Sequence, residues 1–439
     1  MFKRIIGAAI AIAGIVVQTP AMTAQVPAGP VNGTVAANAA AVDPEAAARK
    51  NWRESITEQS ASGQGKGCFH ASYPDSVWEP VPCGTTAKTG PHPTPNRVPD
   101  AAPGPQEGGA TGDYVALTQN GLITHVAGTF YKVSGVTSEM NVDTNGGTTG
   151  SNDYGLQINT NWSLPASVPN STSLPTATPA ACQGHEECQI WQQFIYTTDF
   201  NGDSGPAPSH SELFMQYWLF HWTAYSDSAS ASNSYSKVNC PNGWMKEKGR
   251  NNYIDCYRNG QLQSVPVVIP VADLAEVKLS CTVQQGGNDE LYLTYGADAW
   301  AVIESDDFNT DHPNEDGIGI ASIWQGVEFN IVGNTSSSQA AFNEGSVLGV
   351  TVNIRDSSGL SPLCLKDSDP RIGFVGTTGE TNNLSLGPCR STIANGYPAI
   401  QFLEGTPRAL ELAILQQVGN VAAMAPGEAA VQVNASPSL

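Results

Sequence analysis

SELFMQYWLFHW, residues 211–222, decides the fold. Read as a strand, it puts Leu213, Met215, Tyr217, Leu219 and His221 on one face, a conventional core stripe. Phe214, Gln216, Trp218, Phe220 and Trp222 take the other, which is aromatic apart from the amide. IWQQFIYTT, residues 190–198, reads as its hairpin partner and brings Trp191, Gln192 and Gln193 alongside. Flat aromatics with amide donors suit a groove for sugars or extended peptide, with Trp191, Trp218 and Trp222 as the binding surface. The same residues also suit a central strand buried on both faces, with Gln216 hydrogen-bonded inside. Whether Gln216 meets solvent separates the two.

Outward from this pair, the texture from residue 112 is one of short alternating segments between Gly, Asn, Asp, Ser and Pro. Further candidate strands are DYVALTQ, LITHVAGTFYKV, YGLQINTNW, SVPVVIPV, EVKLSCTVQ, ELYLTYG, AWAVIES, VEFNIVG, VLGVTVNIRD and AIQFLEG. Such spacing predicts an all-β sandwich or jelly roll, concanavalin-like, over residues 111–405. PRALELAILQQVGNVAAM predicts a short terminal helix, and residues 406–439 end in a low-complexity tail. Residues 25–110 read as a separate N-terminal segment, a cystine-clipped module or propeptide. It holds a short helix begun by Asp43 and Pro44 and closes on the Pro/Gly-rich linker GPHPTPNRVPDAAPGPQEGG.

Residues 1–24 read as a secretory signal, with Lys3 and Arg4 before the apolar run IIGAAIAIAGIVV. The expected location is therefore extracellular or periplasmic. The net charge of −20 excludes nucleic acid and anionic membrane surfaces as partners, and no later segment reads as a membrane insertion. In an exported chain, Cys68/Cys83, Cys182/Cys188, Cys240/Cys256 and Cys364/Cys389 read as disulfides, which leaves Cys281 as a small buried hydrophobe.

GDSGP, residues 202–206, resembles the nucleophile loop of chymotrypsin-type peptidases over five residues only, and no matching His motif accompanies it. The loop reads better as oxygen ligands for calcium. Asp199, Asn201 and Asp203 alternate in DFNGDSG, and Asp307, Asn309 and Asp311 repeat the arrangement in DFNTD. Calcium is the only cofactor the sequence suggests. Two carboxylates, Glu328 in WQGVEFNIVG and Glu380 in GFVGTTGETNNLSLG, are candidates for general acid/base work.

CFHASYPDSVWEPVPC, WQQFIY, LFMQYWLF, NNYIDCYRNG and VEFNIVGN together resemble a group of secreted bacterial β-rich proteins, a resemblance that carries no mechanism. More distantly, the chain is similar to glutamic peptidases of the eqolisin type, acid-acting β-sandwiches. That resemblance implies a Glu that activates water and a Gln amide that stabilises the oxyanion. Gln193 would fill the Gln place. The aromatic-flanked position is Gln216 rather than Glu, so Glu328 or Glu380 would complete the site. The expectation is a secreted hydrolase of an extended polymer, peptide more than glycan, catalysed by Gln193, Gln216, Glu328 and Glu380. The alternative is a non-catalytic module binding glycan or protein through the same aromatic strand.

Overall fold

The computed structural model describes residues 43–84, 112–143, 146–162, 179–198, 210–308, 317–334, 337–367, 369 and 379–423. Helix α1 (Pro44–Ile56) leads into β1 (Gly67–Ser72) and β2 (Glu79–Val81). Next come β3 (Tyr114–Leu117), β4 (Ile123–Ser134), β5 (Glu139–Val142), β6 (Thr148–Ser151), β7 (Tyr154–Thr160), β8 (Gln189–Thr197) and β9 (Ser211–Ala224). The middle of the chain supplies β10 (Met245–Lys248), β11 (Tyr253–Asn259), β12 (Gln263–Val265), β13 (Lys278–Val283), β14 (Asn288–Tyr295) and β15 (Asp298–Ser305). Then follow β16 (Gly326–Gly333), β17 (Gln339–Phe342), β18 (Val347–Asp356), β19 (Leu363–Lys366), β20 (Thr381–Asn382), β21 (Ser385–Ala394) and β22 (Tyr397–Gly405), before helix α2 (Pro407–Ala423).

These strands build the expected all-β sandwich. The first sheet runs β2-β1-β15-β14-β13-β4-β18-β22-β21 and the second β10-β11-β9-β8-β7-β16-β3-β19, with β12 also paired to β9. A smaller sheet, β20-β17-β5-β6, stands beside them. The core lies between the two large sheets. Ile190, Phe194, Met215, Tyr217 and Leu219 from the second sheet meet Val126, Phe130, Leu279, Leu291, Val302 and Val352 from the first.

Two boundaries differ from the sequence reading. Residues 67–72 are not apart from the sandwich: β1 pairs with β15 along its whole length, from Gly67 opposite Ile303 to Ser72 opposite Asp298. Trp52 and Ile56 of α1 pack with Phe69, Tyr292 and Ile303 on the outer face of the first sheet. The folded unit therefore begins at Pro44, well before the expected boundary at residue 111. In SVPVVIPV only the first two residues belong to a strand, β12. Pro266 and Pro270 have no N–H to give a ladder, so the remainder leaves the sheet.

Four disulfides join the cysteines paired on sequence grounds, Cys68–Cys83, Cys182–Cys188, Cys240–Cys256 and Cys364–Cys389. Cys281 is a buried free thiol in the core. Among the described residues no helix is long and apolar enough to cross a membrane. Residues 1–24 lie outside the described residues.

Phe329 of β16 lies directly over Gly128 of β4 on the opposite sheet; a Cβ on Gly128 would overlap the Phe329 ring. Gly128→Ala should therefore destabilise the protein by about 1–3 kcal/mol through overpacking. A melting experiment checks this. The double variant Gly128→Ala/Phe329→Leu should recover most of the loss, and an unchanged Tm in the single variant would contradict the packing described.

Candidate functional site

The pairing of β8 with β9 sets Trp191 opposite Trp218, Gln192 opposite Tyr217, and Gln193 opposite Gln216. Successive residues point to opposite sides, so Gln193 and Gln216 share the outer face of the second sheet while Gln192 faces the core. The aromatic side is a sealed cluster of Trp162, Trp191, Trp218, Phe220 and Tyr257. Gln216 is itself 0% exposed. Its Nε2 donates to Asn259 Oδ1 at 2.7 Å and its Oε1 accepts from Trp218 Nε1 at 2.8 Å. The groove expected here is thus a buried layer, with the amide satisfied inside it.

Trp222 leaves this layer. His221 adopts a left-handed φ of +50°, and the β9–β11 register shifts between Ile254 and Cys256. Asp255, in the shifted stretch, accepts the His221 N–H at 2.8 Å. Three β9 residues, Phe220, His221 and Trp222, thus stand against Asp255 alone, a bulge that breaks the alternation of faces. Trp222 consequently packs toward the inter-sheet core and stacks on His185, with ring centroids 3.5 Å apart.

On the outer face, Gln193 Nε2 donates to Asn159 Oδ1 at 2.9 Å and to Gln157 Oε1 at 3.1 Å. Asn159 Nδ2 in turn donates to Glu328 Oε2 at 2.9 Å. Gln193 and Glu328 are joined through an amide relay, with no direct bond between them. Burial first, then the nearby Asp113 carboxyl, holds Glu328 well above the carboxylate range, and the two side chains share a hydrogen bond. Asp113 itself is pushed up to about 6, chiefly by burial. Glu380 is elsewhere, its Oε1 accepting the Ser337 N–H at 3.3 Å, outside this relay.

Toward the core, a second polar group forms that sequence reasoning passed over. Gln192 Nε2 donates to Asp289 Oδ2 at 2.7 Å and lies 3.7 Å from Met215 Sδ, while its Oε1 accepts no hydrogen bond. Asp289 on β14 stands directly opposite Glu304 on β15. Tyr217 Oη donates to Glu304 Oε2 at 2.9 Å, the Gln261 N–H donates to Glu304 Oε1, and Arg258 Nη2 lies 3.7 Å from Glu304 Oε2. Asp306, just past the end of β15, shares a side-chain hydrogen bond with Asp289. Two carboxyls can share such a bond only if one of them carries a proton. Burial, followed by the neighbouring Asp306 charge, keeps Asp289 well above its ordinary value; Asp306 is pushed to about 6, chiefly by burial, and Glu304 is raised by burial. Gln192, Asp289, Glu304 and Asp306 thus form an amide beside three carboxyls at the ends of β14 and β15.

Of the calcium ligands expected from sequence, Asp199, Asn201, Asp203, Asn309 and Asp311 lie outside the described residues. Among the described residues, Asp307 included, no three His, Cys, Asp or Glu side chains come together as a metal site.

No family model matches the chain, and no curated protein matches it. Two solved structures do, both of scytalido-glutamic peptidase. One, with a peptide-based transition-state analogue, has a TM-score of 0.24 and 8% identity, over 66% of this chain and 97% of that one. The other, with a transition-state analogue inhibitor, has a TM-score of 0.22 and 7% identity over the same shares. Likeness at that level is distant.

The buried carboxyls give stability a definite pH dependence. Burial holds Asp306 and Asp113 at about 6, Asp255 at about 7 and Glu404 at about 8. Unfolded, they titrate near about 4, so the folded state binds more protons and their contribution is lost as pH rises through these values. His125 acts in the opposite sense. Burial, then Arg355 and Lys278, lowers it to about 3, so its cost grows as pH falls below its unfolded value of about 6.5. Melting scans from pH 3 to 9 should show a maximum in mild acid and a Tm falling by several degrees between pH 5 and 8. Glu404→Gln should flatten the alkaline side. A Tm constant or rising over pH 5–8 would contradict the protonated interior.

Proposed function

We propose that this protein is a secreted, acid-acting hydrolase of an extended polymer, peptide rather than glycan, and that Gln192, Asp289, Glu304 and Asp306 carry its chemistry. The observation supporting this is a neutral amide bonded to Asp289, whose carboxyl lies beside Asp306 and opposite Glu304, with burial holding all three above the usual carboxylate range. Such a set supplies what amide hydrolysis needs. A carboxylate takes a proton from the attacking water as the C–O bond forms. The Gln192 N–H donates to the oxygen of the tetrahedral intermediate. A protonated carboxyl then delivers its proton to the leaving nitrogen as the C–N bond breaks. Tyr217 and Arg258 orient Glu304. The group is buried, so this reading requires the structure around it to open for substrate.

The polymer and the export are further parts of the same reading. An acidic chain with four disulfides fits an oxidising extracellular or periplasmic setting. The outer-face relay of Gln193, Asn159, Glu328 and Asp113 is the competing location, since it also pairs an amide with two proton-sharing carboxyls.

Purified full-length protein assayed on casein across pH 3–8 should be active only in the acid half. Glu304→Gln should lower kcat by about a hundredfold or more, with folding verified by its melting curve. Glu328→Gln and Glu380→Gln should stay within about threefold of the parent. Loss in Glu328→Gln with retention in Glu304→Gln would move the site to the outer face. Absence of any cleavage over the whole range would remove the peptidase reading.

A further inference from the structure

An open space lies on the outer face of the first sheet, the side opposite the core where Gln192 sits. It is a cavity of about 520 Å³ between helix α1 and the hairpin of β21 and β22. A second, of about 190 Å³, shares Lys50, Glu54, Thr129, Lys278 and Asn395 with it, so the two form one continuous trough. Tyr397 lines the first cavity and Tyr131 the second. Both rings are unusually open for this protein, 37% and 44% exposed.

The walls decide what kind of molecule suits the trough. Three of its four cations have partners: Lys278 Nζ lies 3.0 Å from Glu54 Oε2, Arg53 Nη1 3.6 Å from Glu276 Oε2, and Arg355 is paired with Glu58, while Lys50 makes no ion pair among the described residues. The three pairs cancel and leave the single exposed Lys50 charge, a weak and screened attraction for an anion. His125, on the floor, is held neutral far below its ordinary range by burial and by the adjacent Arg355 and Lys278. What remains is a fixed array of hydrogen-bonding groups: charged pairs, amides and hydroxyls.

The aromatic part is equally constrained. The Arg355 guanidinium sits 3.8 Å from the Tyr397 ring centroid and so covers one face of it, holding the ring in place with its remaining surface partly exposed. Tyr397 follows the two-residue turn Asn395–Gly396, both in left-handed conformations at φ +50° and +82°, a tight hairpin geometry. That turn brings Asn395 to the junction of the two cavities. Asn353, on the floor, is anchored by donating from Nδ2 to Ala394 O at 2.8 Å. Apolar peptide side chains would find few greasy pockets here. A molecule with apolar ring faces and a rim of neutral hydroxyls matches the mixture of open tyrosines and rigid polar groups.

We infer that this trough is a binding site for a neutral oligosaccharide, stacked on Tyr397 and Tyr131 and hydrogen-bonded through Asn353, Asn395 and the ion-paired walls. The inference does not rest on the hydrolase reading. It gives the chain a means of holding glycan at a surface separate from the Gln192 group.

The test uses the full-length protein and isothermal titration with cello-, xylo-, manno- and laminarihexaose. Polygalacturonate serves as an anionic probe and a casein peptide as a polypeptide probe. At least one neutral hexaose should bind with a millimolar or tighter Kd. Tyr397→Ala and Tyr131→Ala should each weaken it by about tenfold, while Tyr397→Phe retains it because the ring is kept. Glu304→Gln should bind like the parent, so failure of the hydrolase reading leaves this result untouched. No binding to any neutral hexaose, binding only to polygalacturonate or the peptide, or an affinity unchanged in both alanine variants would each overturn the inference. Melting curves of the variants separate lost binding from lost folding.

Discussion

The register of β8 against β9 is the constraint on which the rest depends. With Gln192 opposite Tyr217 and Gln193 opposite Gln216, two adjacent glutamines are sent to opposite sides of one sheet. One meets the amides that lead to Glu328; the other meets the Asp289 carboxyl, which lies beside Asp306 and opposite Glu304. A slip of one residue would drive the aromatic cluster of Trp191, Trp218 and Phe220 into the inter-sheet space and push Ile190, Phe194 and Leu219 outward. The cost of exchanging those two sets is far larger than any single hydrogen bond in either polar group. Packing thus chooses the register, and the chemistry of each glutamine follows from it.

The polar groups placed inside by that choice are expensive. A buried carboxylate without a counter-charge loses its hydration, and the cheapest remedy is to keep or share a proton. Asp289 with Asp306, and Glu328 with Asp113, adopt this remedy. Glu304 uses a different one, surrounded by the Tyr217 hydroxyl, the Gln261 N–H and Arg258. These solutions are not equivalent chemically. A shared proton is available for transfer, whereas a carboxylate bound by donors is held ready to accept one. Their coexistence beside a neutral amide distinguishes the β14–β15 rim from the outer-face relay, where no positively charged side chain approaches Glu328 closely enough to form an ion pair among the described residues.

Much of this was legible in the residues. Alternation in the central strands, the cysteine spacings and the proline-led starts of α1 and α2 each reflect a local cause, so each could be read locally. The face of Trp222 could not, because the interruption at His221 depends on Asp255 of another strand capping its N–H. The same holds for β1, whose place depends on β15 more than two hundred residues away. The carboxyl convergence is an intermediate case. Tyr295 and Asp298 close a two-residue turn, and counting back from it sets Asp289 opposite Glu304. That step was available from DELYLTYGADAWAVIES, residues 289–305, yet nothing local marks either carboxylate as turned toward the core rather than toward water. Only the second sheet, through Gln192 and Tyr217, makes the difference.

Helix α1 ties the fold to its exposed trough. Its Trp52 and Ile56 cover the apolar half of the outer face, over Phe69, Tyr292 and Ile303, and each such side chain contributes roughly 1.5–3 kcal/mol by burial. Glu54 and Glu58, on the same helix and its C-terminal turn, reach across to Lys278 and Arg355. Surface ion pairs of this kind add little stability by themselves. Their effect here is positional: the apolar contacts hold the helix, and the helix then fixes the cations that floor the trough and brace Tyr397. A segment that merely shielded the sheet would need only the first set. The presence of both explains why residues 44–58 belong to the folded unit, since without them the outer face would lose its cover and the trough would lose a wall.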